Sequence, residues 1–126
     1  MRFFASVILL VTALMMIGCG RERTISGAFQ LEQWEDGTTY YLHKRGQDDS
    51  SEGGSIIGGI VIRLGWSDRY IVAERHSIYR GDADGWMIID VQSGMIDGPF
   101  KEIEFRARPE AKGIEIYDVN EAWKKL

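Results

Sequence analysis

Four residues lie near enough along the chain to do chemistry together: Glu74, His76, Asp82 and Asp84. Carboxylates beside an imidazole suit general acid–base catalysis, and the same groups suit a divalent cation. Glu74 and His76 alternate on one run of residues, while Asp82 and Asp84 sit in the loop that leads into the next. If the two runs pair as strands, the rim of that loop gathers all four. The same residues also have an account without chemistry. Asp82, Ala83, Asp84 and Gly85 are turn formers, and Asp90 is placed to accept backbone amides of the turn after it. The string Asp-x-Asp-Gly echoes a calcium loop, but the downstream glutamate that completes one is missing. The turn account is the simpler and is favoured.

Little else in the chain offers chemistry. No Gly-x-Ser-x-Gly string is present, and no glycine-rich loop precedes a helix in phosphate-binding form. His43 reads as a surface residue of a strand rather than a ligand. Asp48, Asp49 and Glu52 belong to a polar, glycine-rich stretch over residues 45–55 without the spacing of a calcium-binding loop. Tyr41 and Tyr79 suit an interface. No metal and no cofactor is assigned.

The elements that must position these groups are mostly strands. Residues 28–34 alternate, with Phe29 and Leu31 on one face and Gln30 and Glu32 on the other. Asp36-Gly37 then signals a hairpin into residues 38–44. In residues 56–66 the alternation places Ile60, Ile62, Leu64 and Trp66 on one face, with Val61, Arg63 and Gly65 on the other. Ser67-Asp68 turns the chain into residues 70–74. Residues 85–91 are apolar on both faces apart from Asp90, the pattern of a strand covered on both sides. Pro99 suits the first position of a helix whose face carries Phe100, Ile103 and Ala107. Asp118 with Glu121 resembles a capping box, and Val119, Ala122, Trp123 and Leu126 form a helical stripe. The reading is one α+β domain over residues 28–126: an antiparallel β-meander of five to six strands with two short C-terminal helices.

The N-terminus carries a different message. After Arg2, residues 3–17 are apolar except for Ser6 and Thr12, a length suited to a signal-peptide core and short for a membrane span. The run closes on Met16, Ile17, Gly18 and Cys19, which resembles the lipobox of bacterial lipoproteins. That resemblance implies cleavage after residue 18, lipid on Cys19, and a tether over residues 19–27. Cys19 is the single cysteine, so no disulfide competes for it. With 15 basic against 19 acidic residues the formal net charge is −4, which disfavours phosphate backbones and excludes nucleic acid as a natural partner.

Trp66 to Ala73, then Trp86-Met87-Ile88-Ile89-Asp90, then Gly98-Pro99-Phe100 with Phe105, together resemble a family of small bacterial lipoproteins. These carry a domain of unknown function with a yIIa…yyIID…GPl…F pattern, and the likeness covers residues 56–106. It implies fold and anchoring and transfers no catalytic residue. The expectation is an extracytoplasmic, membrane-anchored lipoprotein, in the outer membrane of a diderm or the cell membrane of a monoderm. Its domain would be a non-enzymatic binding or structural module for another envelope protein. The alternatives are a small metal-dependent hydrolase using the Glu74, His76, Asp82 and Asp84 rim, or an inhibitor or immunity-type protein.

Overall fold

A computed structural model describes residues 21–46, 55–78 and 81–126. The leader, the lipobox, Cys19, Tyr79 and most of the acidic loop, with Asp48, Asp49 and Glu52, lie outside the described residues.

The described chain is α+β, with eight strands in two antiparallel sheets and two short helices near the C-terminus. The first sheet holds β1 (Glu22–Ser26), β2 (Phe29–Gln33) and β3 (Tyr40–Lys44), in that order. The second contains β4 (Gly59–Trp66), β5 (Tyr70–Ser77), β6 (Gly85–Asp90), β7 (Ile96–Phe100) and β8 (Ile116–Asp118). Its order is β7-β6-β5-β4-β8, so a four-strand meander is completed by a late strand that returns beside β4. Helix α1 (Glu102–Arg106) follows β7, a 3-10 turn occupies Pro109–Ala111, and α2 (Val119–Lys125) follows β8.

The expected β2–β3 hairpin forms, and its turn chemistry is local. Asp36 accepts the amides of Thr38 and Thr39, each at 2.9 Å, and the Thr39 hydroxyl at 2.5 Å. Those bonds, led by the hydroxyl, hold its carboxyl down at about 2. Gly37 takes a positive φ of 73° in the same turn, where any side chain would be strained.

Two apolar clusters lie on opposite faces of the second sheet. On one face Phe29, Leu31, Tyr40 and Leu42 of the first sheet meet Val61, Leu64, Ile71, Ala73, Met87 and Ile89, and α2 adds Val119 and Ala122. On the other, Val72, Trp86 and Ile88 are covered by Phe105 of α1, with Phe100, Ala111 and Ile114 around them. The β6 side chains therefore alternate between two cores, which is why its sequence shows no polar face. The α2 stripe docks as its spacing requires, and Trp123 packs against Tyr40 at 5.6 Å between ring centres.

Several expectations give way to tertiary structure. The tether over residues 19–27 is a strand from Glu22 onward, with Ile25 in the core. Arg23 fastens that strand to α2, donating to the Trp123 carbonyl at 2.5 Å and lying 4.3 Å over its ring. In β4 a bulge falls at Ile62, because Val61 pairs with Arg75 while Arg63 pairs with the next residue, Glu74. One extra residue reverses the faces. Val61 is buried, Ile62 is 39% exposed, and only Leu64 and Trp66 of the anticipated face join the first core.

Pro99 starts no helix. It lies in the edge strand β7, where a missing N–H breaks no ladder, after a cis Gly98–Pro99 peptide. The helix begins three residues later, so Ile103 points outward at 85% exposure and Phe105 points in at 2%. Pro109 takes the first position of the 3-10 turn instead. Asp118 stands at the N-cap of α2 without a side-chain cap bond, because it belongs to β8 and extends opposite Arg63. His43 is 5% exposed rather than a surface residue.

The register of α1 is open to direct test. Phe105→Ala should destabilise the protein by about 3–5 kcal/mol, as for a buried aromatic. Ile103→Ala should stay within about 0.5 kcal/mol, as for an exposed site. Urea denaturation of the two variants measures both.

Candidate functional site

Alternation along β5 sets the site. With Ile71 and Ala73 facing the first core, Val72, Glu74 and His76 point to the other side, beside Trp86 of β6. The Ile62 bulge brings Arg63 directly across from Glu74 on that face. An open cleft of about 300 Å³ lies here, lined by Glu74, Asp84, Trp86, Lys101 and Glu102 among others.

The four residues singled out by sequence do not converge on one point. Glu74 turns to Arg63, accepting its Nε at 2.9 Å and a second contact from the same guanidinium. His76 turns the other way, its Nδ1 lying 3.0 Å from Oδ2 of Asp84. The other oxygen of Asp84 accepts the Ser77 amide at 2.7 Å. That backbone bond, followed by the imidazole, lowers the Asp84 pKa. Asp84 thus closes the chain across the β5–β6 loop as a turn residue, and Asp82 is exposed outside the cleft lining. Asp90 behaves as its position suggests, accepting the amides of Gln92 at 2.9 Å and Ser93 at 3.2 Å.

The cleft is organised instead by Glu102, which sequence reading placed only as a helix-dipole acid. Its Oε2 accepts the Trp86 indole N–H at 2.5 Å and a guanidinium N–H of Arg63 at 3.3 Å. Its Oε1 accepts Arg106 Nε at 3.2 Å and a terminal nitrogen at 3.0 Å. The indole bond is the leading cause of a lowered Glu102 pKa, with the two arginines adding to it. Partial burial pulls the Arg63 pKa down, and the bond to Glu74 together with the charges of Glu74, Glu102 and Asp118 outweighs it, leaving that pKa raised. Arg63 also stands 4.9 Å over the Trp86 ring, and Phe105 stacks on that ring at 4.1 Å. Each of Glu74, Asp84 and Glu102 is therefore engaged by donors already in place.

The loop rim is braced from the opposite face by Arg75, which is 7% exposed. It donates to the carbonyls of Ile57 at 2.7 Å and Ala83 at 2.5 Å, tying two loops together. The one sequence signal for this network is an arginine at 63 and another at 75 inside apolar runs. Their partners lie too far along the chain to be read from spacing.

A family model described as a protein of unknown function (DUF3997) matches residues 26–119. No curated protein and no solved structure matches the chain.

Acid should dismantle this network. A carboxyl whose folded pKa is depressed contributes stability above its unfolded value, about 4.3 for glutamate, and loses it as pH falls through the folded value. The stability difference between the wild type and Glu102→Gln should therefore be full at neutral pH and shrink below about pH 4. Denaturant titrations across that range provide the measurement.

Proposed function

The chain belongs to the DUF3997 family, whose description assigns no activity, and on that premise we propose a membrane-anchored envelope lipoprotein with a non-enzymatic binding domain. The observation that carries the proposal is how near β1 lies to Cys19 along the chain. β1 starts at Glu22, and the carbonyl of Arg21 already accepts the Gln33 amide at 2.8 Å. Only two peptide steps separate Cys19 from Arg21, a reach of at most about 7 Å. Lipid on Cys19 would hold the first sheet against the bilayer surface rather than on a long leash. Acyl chains contribute about 0.8 kcal/mol per buried methylene, so two or three of them make anchoring effectively permanent.

The non-enzymatic half of the proposal follows from the cleft. Its carboxylates are spent on Arg63, Arg106, His76 and backbone amides. What remains is a rigid surface held close to the membrane, suited to bracing or binding another envelope protein; an inhibitor or immunity-type role uses the same physics. The membrane is the outer one in a diderm and the cell membrane in a monoderm.

Metabolic labelling with a fatty-acid analogue, followed by fractionation, separates the outcomes. The wild type should take up label and sediment with membranes, and Cys19→Ser should do neither. Retention of the serine variant in the membrane pellet would overturn the anchoring. A Glu74→Gln, Asp84→Asn double variant should still rescue a deletion strain; loss of rescue by a folded variant would favour the hydrolase.

A further inference from the structure

The first sheet carries a separate group of metal-ligating side chains. Its core face holds Phe29, Leu31, Tyr40 and Leu42, so Glu32 and His43 project from the opposite face. Glu22 on β1 stands directly across from Glu32 in the ladder. Like charges in direct cross-strand register destabilise a sheet unless a positive charge lies between them. His43 occupies the flanking position on β3, across from Gln30, and its Nε2 contacts Oε2 of Glu32. One oxygen from each glutamate and one ring nitrogen of His43 lie within 4.8 Å of one another. Among the described residues this is the group of three such ligands that comes together.

Two features separate it from an ordinary surface cluster of acids. One member is an imidazole that is 5% exposed and aimed into the group, whereas surface acids present carboxylates alone. All three ligands also stand on consecutive hydrogen-bonded strands, which fix their backbones as a loop would not. We propose that Glu22, Glu32 and His43 form a divalent metal site, with zinc as the best-matched ion. One imidazole and two carboxylates suit a first-row transition ion, and zinc takes such ligands at about 2.0–2.2 Å. Around one ion that places ligand atoms roughly 3.4 Å apart in tetrahedral geometry. His43 Nε2 and Glu32 Oε2, now in direct contact, would part to admit the ion, and the exposed Glu22 side chain would close on it from β1. The remaining position faces water on the Glu22 side. The inference stands apart from the anchor and from the cleft.

The test uses the full chain carrying Cys19→Ser, so that no thiol competes, stripped of metal with a chelator. Isothermal titration with zinc chloride should give one equivalent per chain, and thermal unfolding should shift upward with zinc. Cobalt(II) should give a visible absorption band of a low-coordinate site at the same stoichiometry. Loss of a ligand in Glu32→Gln or His43→Gln should weaken zinc binding by more than the about 10–100-fold typical of losing an outer-shell partner. Should either variant fail to fold, Glu22→Gln at the exposed edge supplies the same readout. Absence of stoichiometric binding would overturn the site and leave His43 as a structural partner of Glu32. Binding that survives all three substitutions unchanged would overturn it equally.

Discussion

A sheet buried on both faces needs two covers, and this fold is built around meeting that demand. β5 and β6 send alternate side chains into two separate cores, so most of each strand is withheld from water. One cover is a second sheet, which brings Phe29, Leu31, Tyr40 and Leu42 to the first core. The other is small: one short helix, a 3-10 turn and the segment leading into β8. A five-residue helix has no stability of its own. It is held because Phe105 stacks on Trp86 and Glu102 receives the indole N–H from the same ring. Trp86 thus serves the thin cover with a ring face and its one polar atom.

That arrangement explains why the polar groups of the cleft are paired with one another. Arg63 and Glu102 stand at the rim of the second core, where each charge is partly removed from water. Such groups need partners, and the network of Glu74, Arg63, Glu102 and Arg106 supplies them. The result is a cleft that is charged yet committed. Two of its carboxylates, Glu102 and Asp84, are held low by donors already in place. The polar face of the first sheet has the opposite character. There two carboxylates face each other across a ladder beside a buried imidazole, with no arginine among the three ligand groups.

Local signals were legible wherever a few neighbouring residues decide the outcome. Asp36-Gly37 encodes its turn because an aspartate bonds amides two and three residues on. Asp90 works in the same way. The double-faced character of β6 and the apolar stripe of α2 follow from periodicity alone. The site was less legible. Glu74, His76, Asp82 and Asp84 are close in sequence, but adjacent positions across a hairpin do not set where side chains turn. Glu74 was drawn to Arg63, eleven residues earlier, and His76 to Asp84, eight later.

By itself, then, the sequence determined the α+β class, the hairpins and the buried middle strand, since these rest on hydrophobic period and turn chemistry carried by contiguous residues. Only the tertiary structure decided the register. A bulge at Ile62 reverses the faces of β4, a proline that suits a helix start is taken by an edge strand, and a supposed tether becomes β1. Each outcome depends on what lies across the ladder. The same is true of Glu22, Glu32 and His43, whose meeting is set by strand pairing between residues about ten apart and leaves no motif in the chain.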